Sequence, residues 1–113
     1  MSDFIYLFRG GAPSGSPEEL QQQMQKWTDW AKDLGAGGHL RGGGPLDIGG
    51  KIVKGSEKSV TDGAYAESNA LVGGYMLIEA EDLNKAVDLS KECPIFLSGG
   101  FVEVRSVLGV NIQ

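Results

Sequence analysis

A few side chains in this sequence have the chemistry for catalysis or binding: His39, the only histidine; Asp62 and Glu67; Arg9 and Arg105; and Cys93, the only cysteine. An imidazole titrates near neutrality, so His39 is a candidate general base; the favoured reading is a partly exposed loop histidine in a glycine-rich stretch. Asp62 and Glu67 have the makings of a carboxylate pair, one neutral and one ionised, as in acid–base catalysts; the other reading is that they cap a turn and satisfy backbone donors. Glu103 and Arg105 lie two apart on one strand face and either orient a substrate carboxylate or pair across a subunit seam. Arg9, at the end of a strand, is a second candidate anion ligand.

Trp27 and Trp30 either wall an aromatic pocket or pack in the core, with Trp27 inward and Trp30 on its flank. Tyr65 adds a phenol beside Asp62. Cys93 precedes Pro94 with no helix N-terminus or neighbouring histidine to lower its pKa, which argues against a nucleophile. One histidine and one cysteine supply no transition-metal cluster. A phosphate loop fails at Pro45 and Ile52, and a dinucleotide fingerprint fails at Leu40. No metal or cofactor is expected.

These residues need elements to position them. Phe4 to Phe8 is a short apolar run, the pattern of a strand buried on both faces, with Phe4, Tyr6 and Phe8 pointing one way and Ile5 and Leu7 the other. Ser16-Pro17-Glu18-Glu19 reads as a helix start with Ser at the N-cap, Pro at the first position and Glu at the third. Leu20, Met24, Trp27, Ala31 and Leu34 then form an apolar stripe that Gly35 terminates. Half of Gly35 to Gly50 is glycine, with room for a short strand near His39 to Arg41. Lys51 to Val53 and Lys58 to Val60 read as strands around a turn at Gly55-Ser56. A turn at Thr61-Asp62-Gly63 leads on to the strand Tyr75 to Ile78, a helix capped by Asp82, and a last strand from Phe101 to Val107.

That order predicts one α+β domain over residues 1–113, a ferredoxin-like antiparallel sheet with two helices on one face. Two helices cover one face, yet the strands at Phe4 and Tyr75 are apolar on both. A second copy of the chain is the expected cover, giving a two-fold homodimer.

Composition narrows the partners. The chain of 113 residues carries ten Lys and Arg against fifteen Asp and Glu, net −5, without a basic run, which excludes an electrostatic footprint for nucleic acid or an anionic membrane. No apolar run is long enough to span a bilayer and no signal peptide is visible. With a single cysteine there is no internal disulfide, so the expected compartment is the reducing cytoplasm and the expected partner a small molecule.

One stretch carries a family resemblance. Thr61-Asp62-Gly63-Ala64-Tyr65-Ala66-Glu67, Gly73-Gly74-Tyr75, Cys93-Pro94, Glu103-Val104-Arg105 with Val107, and the paired tryptophans together resemble the YCII-related family, in the branch marked by T-D-G-P-F-A-E and called the DGPF domain. Ala64 replaces the usual Pro, Tyr65 the usual Phe, and Asn69 and Ala70 a Lys and a Glu. The resemblance implies a dimeric α+β barrel, ferredoxin-like protomers packed sheet to sheet with pockets between sheet and helices. In the branch with known chemistry, a His on the first helix and an Asp before a Pro form a dyad for dehydrochlorination. Trp27 and Cys93 stand at those positions here, so that mechanism does not transfer.

Two functions remain open. One is a small-molecule site lined by Arg9, Trp27, His39, Asp62, Tyr65 and Glu67, with turnover of lyase or isomerase type: a carboxylate or His39 moves a proton while Arg9 or Arg105 holds an anionic group. The other is a non-catalytic interaction module, since the resemblance extends to relatives beside or fused to sigma-type transcription factors.

Overall fold

A computed structural model describes residues 1–11, 14–47, 49–63 and 71–109. In chain order the elements are β1 (Ser2–Arg9), α1 (Pro17–Ala36), β2 (Leu40–Pro45), β3 (Lys51–Lys54), β4 (Ser59–Asp62), β5 (Val72–Ala80), α2 (Leu83–Ser90), a 3-10 turn (Pro94–Ser98) and β6 (Phe101–Ser106). Four strands form one antiparallel sheet in the order β2-β5-β1-β6, while β3 and β4 form a separate hairpin. With that hairpin set aside, the connectivity and strand order are those of the ferredoxin-like fold.

Helix α1 begins as its sequence dictates. Ser16 Oγ accepts from the Glu19 amide at 3.2 Å and the Glu19 carboxylate accepts from the Ser16 amide at 3.4 Å, so two donors left over at the helix start are satisfied reciprocally. The expected stop at Gly35 comes slightly late, with the helix running to Ala36 and the Gly37 amide donating to Asp33 O. A glycine inside a helix costs only about 1 kcal/mol, and the chain leaves the helix at Gly37-Gly38, where Gly38 takes φ +77°. Asp82 caps α2 as anticipated, its Oδ1 accepting from the Lys85 amide at 2.8 Å.

The register assigns each side chain to a face. Tyr6 lies opposite Met76 and Val104, and Phe4 opposite Ile78, so these residues share the side that both helices cover. Tyr6 stacks on Trp30 of α1 at 6.1 Å between ring centroids and donates its hydroxyl to Ala86 O of α2 at 2.5 Å. Phe8, Leu34, Ala80, Cys93 and Ile95 complete the buried layer with these residues.

Here the tryptophans exchange the roles expected of them. Trp30 is only 6% exposed and Trp27 is half-buried, edge-on to Phe8 at 5.0 Å. The inward line of α1 runs through Leu20, Trp27, Trp30 and Leu34, and Met24, expected in the stripe, is 71% exposed. Trp30 tolerates burial because its indole N–H donates to Leu89 O at 3.3 Å.

On the other face, Ile5, Leu7, Tyr75, Leu77 and Phe101 are accompanied by Arg9, Glu79, Glu103 and Arg105, as the registers of β1 with β5 and β6 require. Among the described residues no helix covers this face. The edge strand β2 meets β5 with a bulge between Leu40 and Gly42, and just beyond it Gly43, opposite Met76, has φ +135° and a Cβ there would lie 2.3 Å from Tyr75 O. Only glycine fits that approach.

Candidate functional site

The open face gathers three of the charged groups. Arg9, on the last position of β1, donates from Nε to Glu103 Oε1 at 2.9 Å, and Arg105 Nε stands 4.0 Å from the other carboxylate oxygen. Strand alternation puts Glu103 and Arg105 on one side of β6, and pairing of β1 with β6 brings Arg9 beside them. Phe101 pairs with Arg9, and Leu7 separates Glu103 from Tyr75 in the same row. Guanidiniums and a carboxylate thus stand together beside aromatic and aliphatic side chains. Such a site suits an organic anion, with the Arg fork matching a carboxylate.

His39 does not join this cluster. The pairings of Leu40 with Ile78, Ile78 with Phe4 and Phe4 with Ser106 put it at the opposite end of the sheet from Arg9. Its Nδ1 is 2.8 Å from Glu79 O, and because a carbonyl only accepts, Nδ1 carries the proton. Close by, Arg41 donates to Glu79 Oε2 from two nitrogens at 2.9 and 3.0 Å. The hydrogen bond and charge of Arg41 hold the Glu79 carboxyl below its usual range, and Glu79 raises the Arg41 guanidinium in turn. This end of the sheet is a tied-down ion pair with a half-buried imidazole on its rim.

Asp62 is also elsewhere. It ends β4 in the separate hairpin, almost fully exposed and ion-paired with Lys51 on the opposite strand. The next residue, Gly63, donates its amide to Gly50 O at 2.7 Å, so at Asp62 the motif stretch closes a hairpin. Tyr65 and Glu67 lie outside the described residues. Trp27 is a packing residue on Phe8.

Cys93 is buried and free, and burial pushes its thiol up to about 12. It stays protonated at neutral pH, which argues against a nucleophile at this position.

A further concavity was not foreseen. A groove of about 670 Å³ runs between α1 and the segment from α2 through the 3-10 turn, with Trp30, Leu34, Leu89, Cys93, Phe96 and Leu97 in its wall. None of Arg9, Trp27, His39, Asp62 and Arg105 lines it. The signal that could have found it is the run Pro94-Ile95-Phe96-Leu97-Ser98, too short for a helix with a buried stripe and therefore bound to expose some of its large apolar side chains. No group of three metal-ligating side chains occurs among the described residues, and no helix there is long and apolar enough to cross a membrane.

Comparison with curated proteins gives no match. Among solved structures, the chain is similar to a 5-chloro-2-hydroxyhydroquinone dehydrochlorinase from Burkholderia phenoliruptrix AC1100, in complex with 2,5-dihydroxybenzoquinone, at 16% identity and a TM-score of 0.45, over 88% of this chain and 90% of that one. The family described as YCII-related domain matches residues 5–111, nearly the whole length, and the chain belongs to that family.

Proposed function

We propose that this protein is a homodimer whose open sheet faces pack together around a small organic anion, an aromatic carboxylate in the first instance. The observation that carries the reading is the Arg9–Glu103–Arg105 cluster on a sheet face that is apolar around it and has no cover among the described residues. Large exposed apolar patches mark contact surfaces, and a polar cluster inside one marks a ligand. Arg105 supplies the fork for the carboxylate, and Phe101 and Tyr75 offer ring faces. The T-D-G-P-F-A-E branch of the family and a cytoplasmic location, in keeping with the reduced Cys93, complete the proposal.

Turnover of lyase or isomerase type needs a proton-transfer group at the bound anion. Among the described residues that role falls to Glu103, whose oxygen is already engaged by Arg9. Binding without conversion, as in a sensory or regulatory module, is therefore the form of the reading favoured here.

The test is a thermal-shift titration with benzoate and hydroxybenzoates, with the neutral amides as controls, repeated on Arg105→Leu. A dose-dependent rise in Tm for the acids alone, lost in the variant, is expected. A shift of equal size in Arg105→Leu, or no shift with any acid, overturns the site.

A further inference from the structure

Among the described residues, the β3–β4 hairpin satisfies its own backbone and little else. Lys51 stands opposite Asp62, Ile52 opposite Thr61, Val53 opposite Val60 and Lys54 opposite Ser59, and neither strand hydrogen-bonds to the main sheet. An isolated two-stranded hairpin is marginally stable at best in water, and needs a hydrophobic face laid on something. Val53 and Val60 form such a face, a directly opposed β-branched pair, yet they are 64% and 60% exposed. Overall dimensions agree with a projecting arm: the radius of gyration is 15.7 Å, against about 13 Å for a compact domain of this length.

Charge favours another copy of this chain as what the arm meets. Lys51, Lys54 and Lys58 stand on it against Glu57 and Asp62, so it is locally basic on a chain of net charge −5, and the remainder is more acidic than the whole. Another copy of the same body is thus electrostatically attractive to the arm, while the acidity of the whole disfavours a nucleic acid.

We propose that the β3–β4 arm closes over a second copy of this chain, with the Val53–Val60 pair buried on the partner and the arm's net positive charge drawn to the partner's acidic body. By two-fold symmetry each protomer both lends an arm and receives one. This rests on the homodimer reading above and adds to the sheet contact a clasp that the open faces do not contain.

The experiment compares wild type, Val53→Asp, Val60→Asp and Lys54→Glu by sedimentation across a dilution series, with hydrogen exchange of the amides of residues 51–62. All three positions are exposed in the protomer, so the variants fold as wild type does, with unchanged circular dichroism. Each aspartate variant is expected to weaken dimerisation at least about tenfold, the scale of burying one valine, and arm protection in wild type is expected to rise with concentration.

A dimer that is indifferent to both aspartates, with concentration-independent exchange in the arm, overturns the clasp and leaves the sheet dimer standing. A wild type that is monomeric throughout overturns the dimer itself. An arm protected in the dilute monomer lies on its own chain, and salt-sensitive retention on duplex DNA that Lys54→Glu abolishes makes nucleic acid the occupant; either result overturns the proposal.

Discussion

Arg9 Nε donates to Glu103 Oε1 at 2.9 Å although the residue directly opposite Glu103 is Leu7, so the ion pair crosses the β1–β6 ladder diagonally. The diagonal draws the Glu103 carboxylate toward Arg9. Arg105 keeps only a long 4.0 Å approach to the same carboxylate, two residues further along the strand. The cluster thus has one tight pair and one guanidinium with capacity for a further acceptor.

Neutralising the carboxylate should strengthen anion binding. Glu103→Gln retains an oxygen for Arg9 and removes the competing charge, so the affinity for a carboxylate ligand rises about two- to fivefold, the scale of ~0.5–1 kcal/mol for a partly exposed charge pair. Calorimetric titration checks this. Weaker binding would assign Glu103 a direct ligand contact.

Trp30, rather than Trp27, should dominate core stability. Trp30→Ala removes the stack on Tyr6 and the hydrogen bond to Leu89 O and costs about 3–5 kcal/mol. Trp27→Ala, at a half-buried position, costs less. Urea denaturation of both variants gives the order directly, and equal losses would refute the assignment.

Acid should find the Arg41–Glu79 pair. The folded carboxyl titrates below its unfolded value, so its contribution to stability is present above the ordinary carboxylate range and disappears as pH falls through the lowered folded value. In Glu79→Gln the slope of stability against pH is shallower in that window, as thermal melts across an acidic pH series will show. An unchanged slope would place the acid sensitivity elsewhere.

Alkali should find Cys93 and Tyr6. Burial raises the thiol from 9.0 to about 12 and the phenol from 10.0 to about 12, the phenol also feeling Cys93. Stability contributed by the neutral forms is full below the unfolded values and falls as pH rises from about 9 toward 12, because the unfolded state loses these protons first. Cys93→Ser should soften the decline at the lower end of that window. In wild type at neutral pH, the thiol should react with a disulfide reagent only as fast as the protein opens.

The sequence carries the frame of the fold in local signals. Ser16-Pro17-Glu18-Glu19 and Asp82 each mark a helix start through side chains that reach only three residues, so the caps need no tertiary knowledge. The alternation from Phe4 to Phe8 separates a helix-covered face from an open one for the same reason. Which tryptophan goes deeper is not local, because both lie on the apolar side of α1 and the choice depends on where Tyr6 meets the helix. Likewise the arginine cluster joins residues 94 positions apart, and only the strand order puts Arg9 beside Glu103. Asp62, which by its sequence reads as either half of a carboxylate pair or a turn cap, finds its partner, Lys51, across an exposed hairpin, a pairing that again depends on register.

The place of β1 in the sheet bears on how the chain is made. β1 is a central strand, and its two neighbours, β5 and β6, are the last strands to be synthesised. At about 5–20 residues per second, the ribosome takes on the order of 4–14 s to move from Arg9 to Ala80, the end of β5. Throughout that interval the nascent chain displays an aromatic segment, Phe4 to Phe8, with no ladder to enter, and the loop closures that end the wait are the long-range kind that fold slowly.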